Sequence, residues 1–469
     1  MVWGKSAWRR ALAAGLVSSA LLSAQDARQP ETPPGGVRFL SFAEAQEVIA
    51  SFRDSGQGEL VGAELTDASA WDRWVRARDQ EVRRRIDRGT EDSISNLILY
   101  GASYTQFPRF HSFEEAASAD GELTPRARAR VHALRLALDQ AGDNERIRLV
   151  RRYVAQQGMA ENAVEGILSA TLRRFIAEQR GFQGKLREAG RASDVGELFA
   201  TRGTLFAQRG LSVDTALLPN CALEDTLEAL IRKAALAPGS IRRIAVVGPG
   251  LDFTDKRDGY DFYPLQTLQP FAVLEGVLRL KLAAPGPIDV ATFDLNPWVN
   301  AHVKRLAERA QAGRPYVVQL PHDSEADWNS AALAYWQHFG EIIGSPTSPL
   351  PVPAGLGTVT LRAVAIDPHY AARLQAVDLD IVTQTLDLAP AAAGFDLVVV
   401  TNVLVYYDRF EQALAMASIA HLLNPGGIFL ANHVLPAQHP PAFEYLGRRS
   451  VSYSSSGAYG DDVVVYRHR

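Results

Sequence analysis

Ile244-Ala-Val-Val-Gly-Pro-Gly-Leu-Asp-Phe253 holds the first residues whose type and spacing could do chemistry. A short apolar run reads as a buried parallel strand, and it breaks at Gly248-x-Gly250. In open α/β sheets a ligand lies across the carboxyl ends of the strands, and glycine lets the backbone approach it closely. The motif therefore marks either the floor of a nucleotide-like pocket or a tight strand-to-helix turn with no ligand. Further on, Ile288-Asp-Val-Ala-Thr-Phe-Asp294 reads as a second strand ending in an acid. An acid at a strand tip can accept hydrogen bonds from a ligand or cap the next helix. Between the two lies Asp252 to Tyr263, dense in charge and aromatic rings directly at the glycine turn. The one cysteine, Cys221, excludes an intramolecular disulfide and any cysteine-based zinc cluster, and reads as a small buried hydrophobe.

These residues need a scaffold. At 469 residues the chain exceeds the usual ceiling for one hydrophobic core, so two domains are expected. Its apolar fraction of 47% and charged fraction of 22% are ordinary for a soluble protein. A net charge of −4 with no long Lys/Arg run argues against a nucleic-acid partner. At the amino terminus Lys5, Arg9 and Arg10 precede an apolar stretch from Ala11 to Ala24, the pattern of a secretory signal peptide over 1–24. That stretch is too short to span a bilayer comfortably, so no stable membrane span is expected after cleavage. The chain is then expected to be exported, periplasmic or extracellular; with the segment uncleaved, it is cytoplasmic. Residues 25–36, rich in Pro and Gln, read as a flexible spacer.

Residues 37–215 read as an α-helical domain. Ser41-Phe-Ala-Glu44 has the form of a capping box opening a helix to about Asp54. A second helix begins at Trp71 and runs to about Arg88, and Thr124-Pro125 opens a third that ends near Leu138. Arg146 to Gln157 and Ala163 to Gln179 supply two more, while Asn96 to Arg109, with Tyr100, Tyr104 and Phe107, reads as a loop. From about residue 216 strand and helix alternate, which implies a mostly parallel sheet with covered faces. Strand-like runs occur at 316–320, 358–366, 379–383, 395–400 and 428–434, with a terminal hairpin from Ser450 to Tyr466.

The ordered set of a Gly-x-Gly after strand one, an acid ending strand two, Leu386-Asp387, Phe395-Asp-Leu-Val-Val and Asn424-Pro-Gly-Gly427 before a strand and hairpin resembles the class I S-adenosylmethionine-dependent methyltransferases over residues 222–469. Phe395 to Asp408 looks particularly like the corresponding strand and loop of chemotaxis-type protein methyltransferases. The resemblance implies a Rossmann-like α/β methyltransferase sheet, mostly parallel with a terminal antiparallel hairpin. It further implies S-adenosylmethionine as cofactor and a methyl acceptor whose identity is unknown. Carried over by position, it sets Gly248 and Gly250 against the amino-acid part of the cofactor, Asp294 at the ribose hydroxyls, Leu295 at the adenine, and Leu386 and Asp387 at the adenine edge. Asn402, Tyr406 and Tyr407 would stand where the methyl group meets its acceptor, and aromatic faces there suit a cationic sulfonium. The long interval from Gly250 to Asp294 implies an insertion at 252–283, and residues 313–376 a second.

Methyl transfer is an in-line displacement that depends chiefly on positioning, so the resemblance requires neither a metal nor a covalent nucleophile. Where the acceptor must lose a proton, Asp255, Asp258, Asp261, Tyr263 or His433 could take it, each of which could equally serve a solvated or capping role. An alternative of another class is an exported binding or scaffold protein that keeps the fold without the activity. A nicotinamide dehydrogenase is disfavoured, because the Gly-x-Gly-x-x-Gly fingerprint fails at Phe253.

Overall fold

The computed structural model describes residues 36–158, 160–189, 210–254, 260–388, 394–432, 435–436 and 440–469. The signal-peptide segment 1–24, the spacer up to residue 35, and Asp255, Asp258 and His433 lie outside the described residues.

The centre of the molecule is a sheet of seven strands in the order β11-β12-β10-β9-β2-β3-β7. β2 (Arg243–Val247), β3 (Asp289–Asp294), β7 (Leu374–Asp378), β9 (Phe395–Val400) and β10 (Leu423–Ala431) run parallel. β11 (Phe443–Ser452) and β12 (Gly460–His468) form the terminal antiparallel hairpin. This is the α/β fold class expected from the sequence. Register explains why the strand tips can act together: Val247 stands beside Phe293 on one side and Val400 on the other, and Asp294 beside Asp378. The inner strands are apolar at nearly every position because both faces are covered. Ala245 and Val247 point into one core, Ile244 and Val246 into the other.

The first core holds α1 (Phe42–Asp54), the first half of α2 (Ala68–Tyr100) and α10 (Arg409–Leu422). Ser41 and Glu44 make the expected capping box, and Val48, Ile49 and Phe52 are buried against the sheet side. Burying each such side chain contributes roughly 1.5–3 kcal/mol. The second core holds α6 (Leu218–Arg232), α7 (Gln269–Arg279) and α8 (Pro297–Gln311). The insertion at 313–376 adds an antiparallel sheet, β4 (Tyr316–Asp323), β6 (Val359–Ile366) and β5 (Gly344–Thr347), together with α9 (Ser330–His338). It attaches through Val318, Leu320, Val364 and Ile366.

The helical stretch divides between two cores. Residues up to Ile86 build the sheet's own cover, whereas the second half of α2 packs with α3 (Pro125–Asp139), α4 (Glu145–Gln156) and α5 (Val164–Ala189). Asn96 to Tyr100, expected in a loop, continue α2. Ile94, Leu97, Ile98 and Leu99 are buried in the bundle, and the buried Arg130 of α3 caps the turn by donating to the carbonyls of Ile98, Gly101 and Phe107. A short strand also went unread: β1 (Val37–Phe39) pairs antiparallel with β8 (Gln384–Leu386). The strand expected over 379–383 is a turn instead. Asp380 folds it, since its carboxylate accepts the Val382 N–H at 3.0 Å and the Thr383 hydroxyl at 2.8 Å. No helix among the described residues is long and apolar enough to cross a membrane.

Candidate functional site

Beyond the tip of β2 the backbone turns through two glycines in the left-handed region, Gly248 at φ +67° and Gly250 at φ +63°. The Gly248 N–H donates to the Phe293 carbonyl at 2.8 Å, so the glycine bend and Asp294 sit on adjacent strand ends. They open on a narrow cavity of about 80 Å³. Of the residues expected from the sequence, Gly248, Gly250, Asp294, Leu295, Asn402, Tyr406 and Tyr407 line this one cavity.

Leu386 and Asp387 do not. Leu386 is buried in the sheet-side core, and Asp387 follows β8 with its N–H donating to the Gly36 carbonyl at 2.9 Å. Leu379 and Ile381, on the Asp380 turn after β7, line the cavity instead. Reading that turn as a strand hid these two lining residues. The usable signal was Val377-Asp-Leu-Asp-Ile381, three apolar residues alternating with two acids at the end of a strand.

Asp294 is held by backbone amides. Its Oδ1 accepts the Asn296 N–H at 2.8 Å, and the amides of Gly250 and Leu295 also favour its charged form. Burial outweighs them and pushes the carboxyl up to about 7. Helix α8 is capped not by Asp294 but by the Asn296 side chain, which accepts the Trp298 N–H at 2.9 Å. That leaves the second carboxylate oxygen of Asp294 without a capping task.

On β9's side, Thr401 accepts a hydrogen bond from buried Gln269 Nε2 at 2.6 Å. Asn402 is left-handed at φ +58° and exchanges two hydrogen bonds with Asn432: its N–H donates to Asn432 Oδ1 at 2.8 Å, and Asn432 Nδ2 donates to its Oδ1 at 2.7 Å. Arg85 of α2 donates to the Tyr406 carbonyl at 2.9 Å and stands 5.9 Å over the Tyr407 ring. Burial raises the Tyr407 hydroxyl well above the ordinary phenol range, so it stays protonated. It can donate a hydrogen bond or present a ring face, but it is not a base.

The two described proton-acceptor candidates are committed elsewhere. Asp261 accepts the N–H groups of Ala102 and Ser103 and the Ser103 hydroxyl, tying the 252–263 loop to the end of α2. Tyr263 donates to Asp252 at 2.8 Å, and its carbonyl is held, with those of Asp252 and Phe253, by the buried Arg146.

Sequence reasoning missed the wall formed by Leu211 to Asp214. This strap lies along the glycine loop: Leu251 N–H donates to the Val213 carbonyl at 2.7 Å and Thr215 N–H to the Leu251 carbonyl at 3.2 Å. It reaches that position by crossing α2 where two glycines meet. A Cβ on Gly89 would lie 1.7 Å from the Leu211 carbonyl oxygen, and one on Gly210 would lie 2.3 Å from the Gly89 nitrogen. A glycine inside a long helical pattern was the available clue. The strap also changes the meaning of the Gly-x-Gly motif. A Cβ on Gly250 would meet the Val213 carbonyl oxygen at 2.7 Å, and one on Gly248 would meet Val403 at 2.3 Å. Both glycines make room for the chain itself.

A second cavity, about 420 Å³, opens beside the first between Asp252, Tyr260 and Tyr263, the insertion sheet and the terminal hairpin. Aromatic side chains, among them Tyr260, Trp328, Tyr453 and Tyr459, line it. The strap is common to both: Leu211 to Asp214 face the strand-tip cavity and Thr215 to Pro219 the second.

The strand order and covered faces define a Rossmann-like sheet of the methyltransferase type, entered from the strand tips. No protein-family model matches the chain, and no curated protein does. Among solved structures it is similar to TrmN from Thermus thermophilus, at 14% identity over 54% of this chain and 52% of that one, with a TM-score of 0.23. It spans about half of that protein's length. It is also similar to the N-methyltransferase NodS from Bradyrhizobium japonicum WM9 in complex with S-adenosyl-L-homocysteine, at 14% identity over 62% of this chain and 98% of that one, TM-score 0.27. A third is magnesium protoporphyrin IX methyltransferase from Synechocystis PCC 6803 with bound SAM, at 10% identity over 62% and 91%, TM-score 0.26.

Proposed function

We propose that the chain is an S-adenosylmethionine-dependent methyltransferase whose donor site is the strand-tip cavity. The observation that carries this reading is the juxtaposition of the glycine bend, the Asp294 carboxylate and the Asn402–Tyr407 loop around one cavity on three neighbouring strands. The donor set suits the group. Asp294 offers a carboxylate oxygen to a ribose diol, Leu379 and Ile381 offer an apolar slot to an adenine, and Tyr406 and Tyr407 offer ring faces near the sulfonium. When bound, the cofactor supplies a methyl group on a cationic sulfur. The chain's part is to hold an acceptor in line with it and to keep water out. The second cavity, sharing the strap, supplies the room for an acceptor rich in apolar surface.

Calorimetric titration with S-adenosylmethionine and S-adenosylhomocysteine tests the proposal. Micromolar binding that Asp294→Ala weakens by about tenfold or more supports it. A folded sample giving no heat with either ligand sinks it and leaves the second reading, a binding or scaffold protein that keeps the fold without the activity. One observation favours that alternative: the space beside both glycines is taken by Val403 and the strap. We further propose export directed by the first 24 residues; fractionating cells that express the chain with and without them decides it.

A further inference from the structure

Helices α4 and α8 meet at a cleft of about 410 Å³ that methyl transfer leaves unused. Leu149, Leu251 and Leu265 give it an apolar lining, and Arg148, Arg151 and Arg152 of α4 and Arg305 of α8 line its exposed mouth. Arg148 pairs with Asp143 at 2.6 Å. Among the described residues, Arg151, Arg152 and Arg305 make neither an ion pair nor a hydrogen bond to a carboxylate, although acidic residues outnumber basic ones in the chain, 53 to 49. The one carboxylate in the lining, Glu145, already accepts the Leu265 N–H at 3.0 Å. Arg152 is held in place by the Trp298 ring, its guanidinium 4.3 Å from the centroid. Deeper in, His302 meets the Tyr316 hydroxyl at 2.9 Å; burial and the nearby Arg305 and Arg309 lower it to about 4, so it is neutral and adds no charge of its own.

Three guanidiniums with no ion-pair partner among the described residues, brought from two helices into one concave site, leave a local excess of positive charge that an anion would offset. A guanidinium fork matches phosphate oxygens with two parallel hydrogen bonds, and such charge-assisted bonds are about twice as strong as neutral ones. We propose that the α4–α8 cleft binds a small molecule bearing a phosphate or diphosphate group. A nucleic-acid strand is the poorer fit, because the basic residues gather in one concavity rather than along a stripe and the chain is net negative. The site stands on these side chains alone, whatever the strand-tip cavity binds.

The test is calorimetric titration of the full chain with inorganic pyrophosphate at low salt. Binding is expected to weaken by about tenfold in Arg152→Ala and again in the Arg152→Ala/Arg305→Ala pair, and to fall as salt rises. Arg232→Ala, which removes an exposed arginine paired with Glu228 elsewhere, should leave it unchanged. All three sites are exposed, so circular dichroism should report the same fold. Two results overturn the proposal: pyrophosphate heats equal in the parent and the double variant, or a short oligonucleotide that binds more tightly than pyrophosphate and is lost in the same variants.

Discussion

Two acids at neighbouring strand ends are both desolvated, and their surroundings differ. Asp380, in the turn after β7, is fully enclosed and spends its oxygens on the Val382 N–H and the Thr383 hydroxyl, while its own N–H donates to Gln384 Oε1 at 2.9 Å. Burial raises it to about 6. Asp294, at the tip of β3, is raised to about 7 by the same cause but borders the cavity, with backbone amides as its partners. One acid is enclosed by its own turn; the other lines the cavity. Desolvation alone does not distinguish a carboxylate enclosed by its own turn from one that borders a cavity.

The contrast can be broken most sharply by removing each acid. Asp380→Ala strands a buried N–H and hydroxyl and should cost about 3 kcal/mol in urea unfolding. Asp294→Ala should change stability at pH 8 by less than about 1 kcal/mol, because it also removes a poorly solvated charge. A reversal of these two costs would invert the comparison. Next in size is ligand binding: Asp294→Asn should weaken S-adenosylhomocysteine by about tenfold or more, measured by calorimetry.

The pH dependence sharpens the point. Because the folded Asp294 holds its proton more tightly than the unfolded chain does, its contribution to stability is present below the ordinary carboxylate range. It is lost as pH rises to about 7. Unfolding of the parent and of Asp294→Asn from pH 4 to 8 should therefore show the parent falling relative to the variant, then running level above about 7. Ligand binding should move the other way, tightening as the carboxylate forms. The smallest expected effect is that of Asp387→Ala, which lies off the cavity and should alter S-adenosylhomocysteine binding by less than about twofold.

Much of this was legible along the chain because its causes are local. Val246-Val247 before Gly248, and Phe293-Asp294 before Asn296, announce strand, tip and turn within a few residues. The capping box at Ser41 and the Thr124-Pro125 helix start are local in the same way. What was missed depends on distant partners. The length of α2 is set partly by Arg130, the pairing of Val37–Phe39 requires a strand near residue 385, and the turn at 380–384 is decided by one carboxylate whose neighbours read as a strand. The strap was invisible for the same reason, since Val213 meets Leu251 only once the fold has closed.

The strap also has a thermodynamic corollary. One unbroken run of backbone, Leu211 to Pro219, supplies a side to each of two chambers and is pinned at one end by a contact between glycines that leaves no slack. An occupant that moved Val213 in one chamber would therefore act on Thr215 in the other. Whatever free energy the first occupant adds to or takes from the second, the second must return in equal measure to the first.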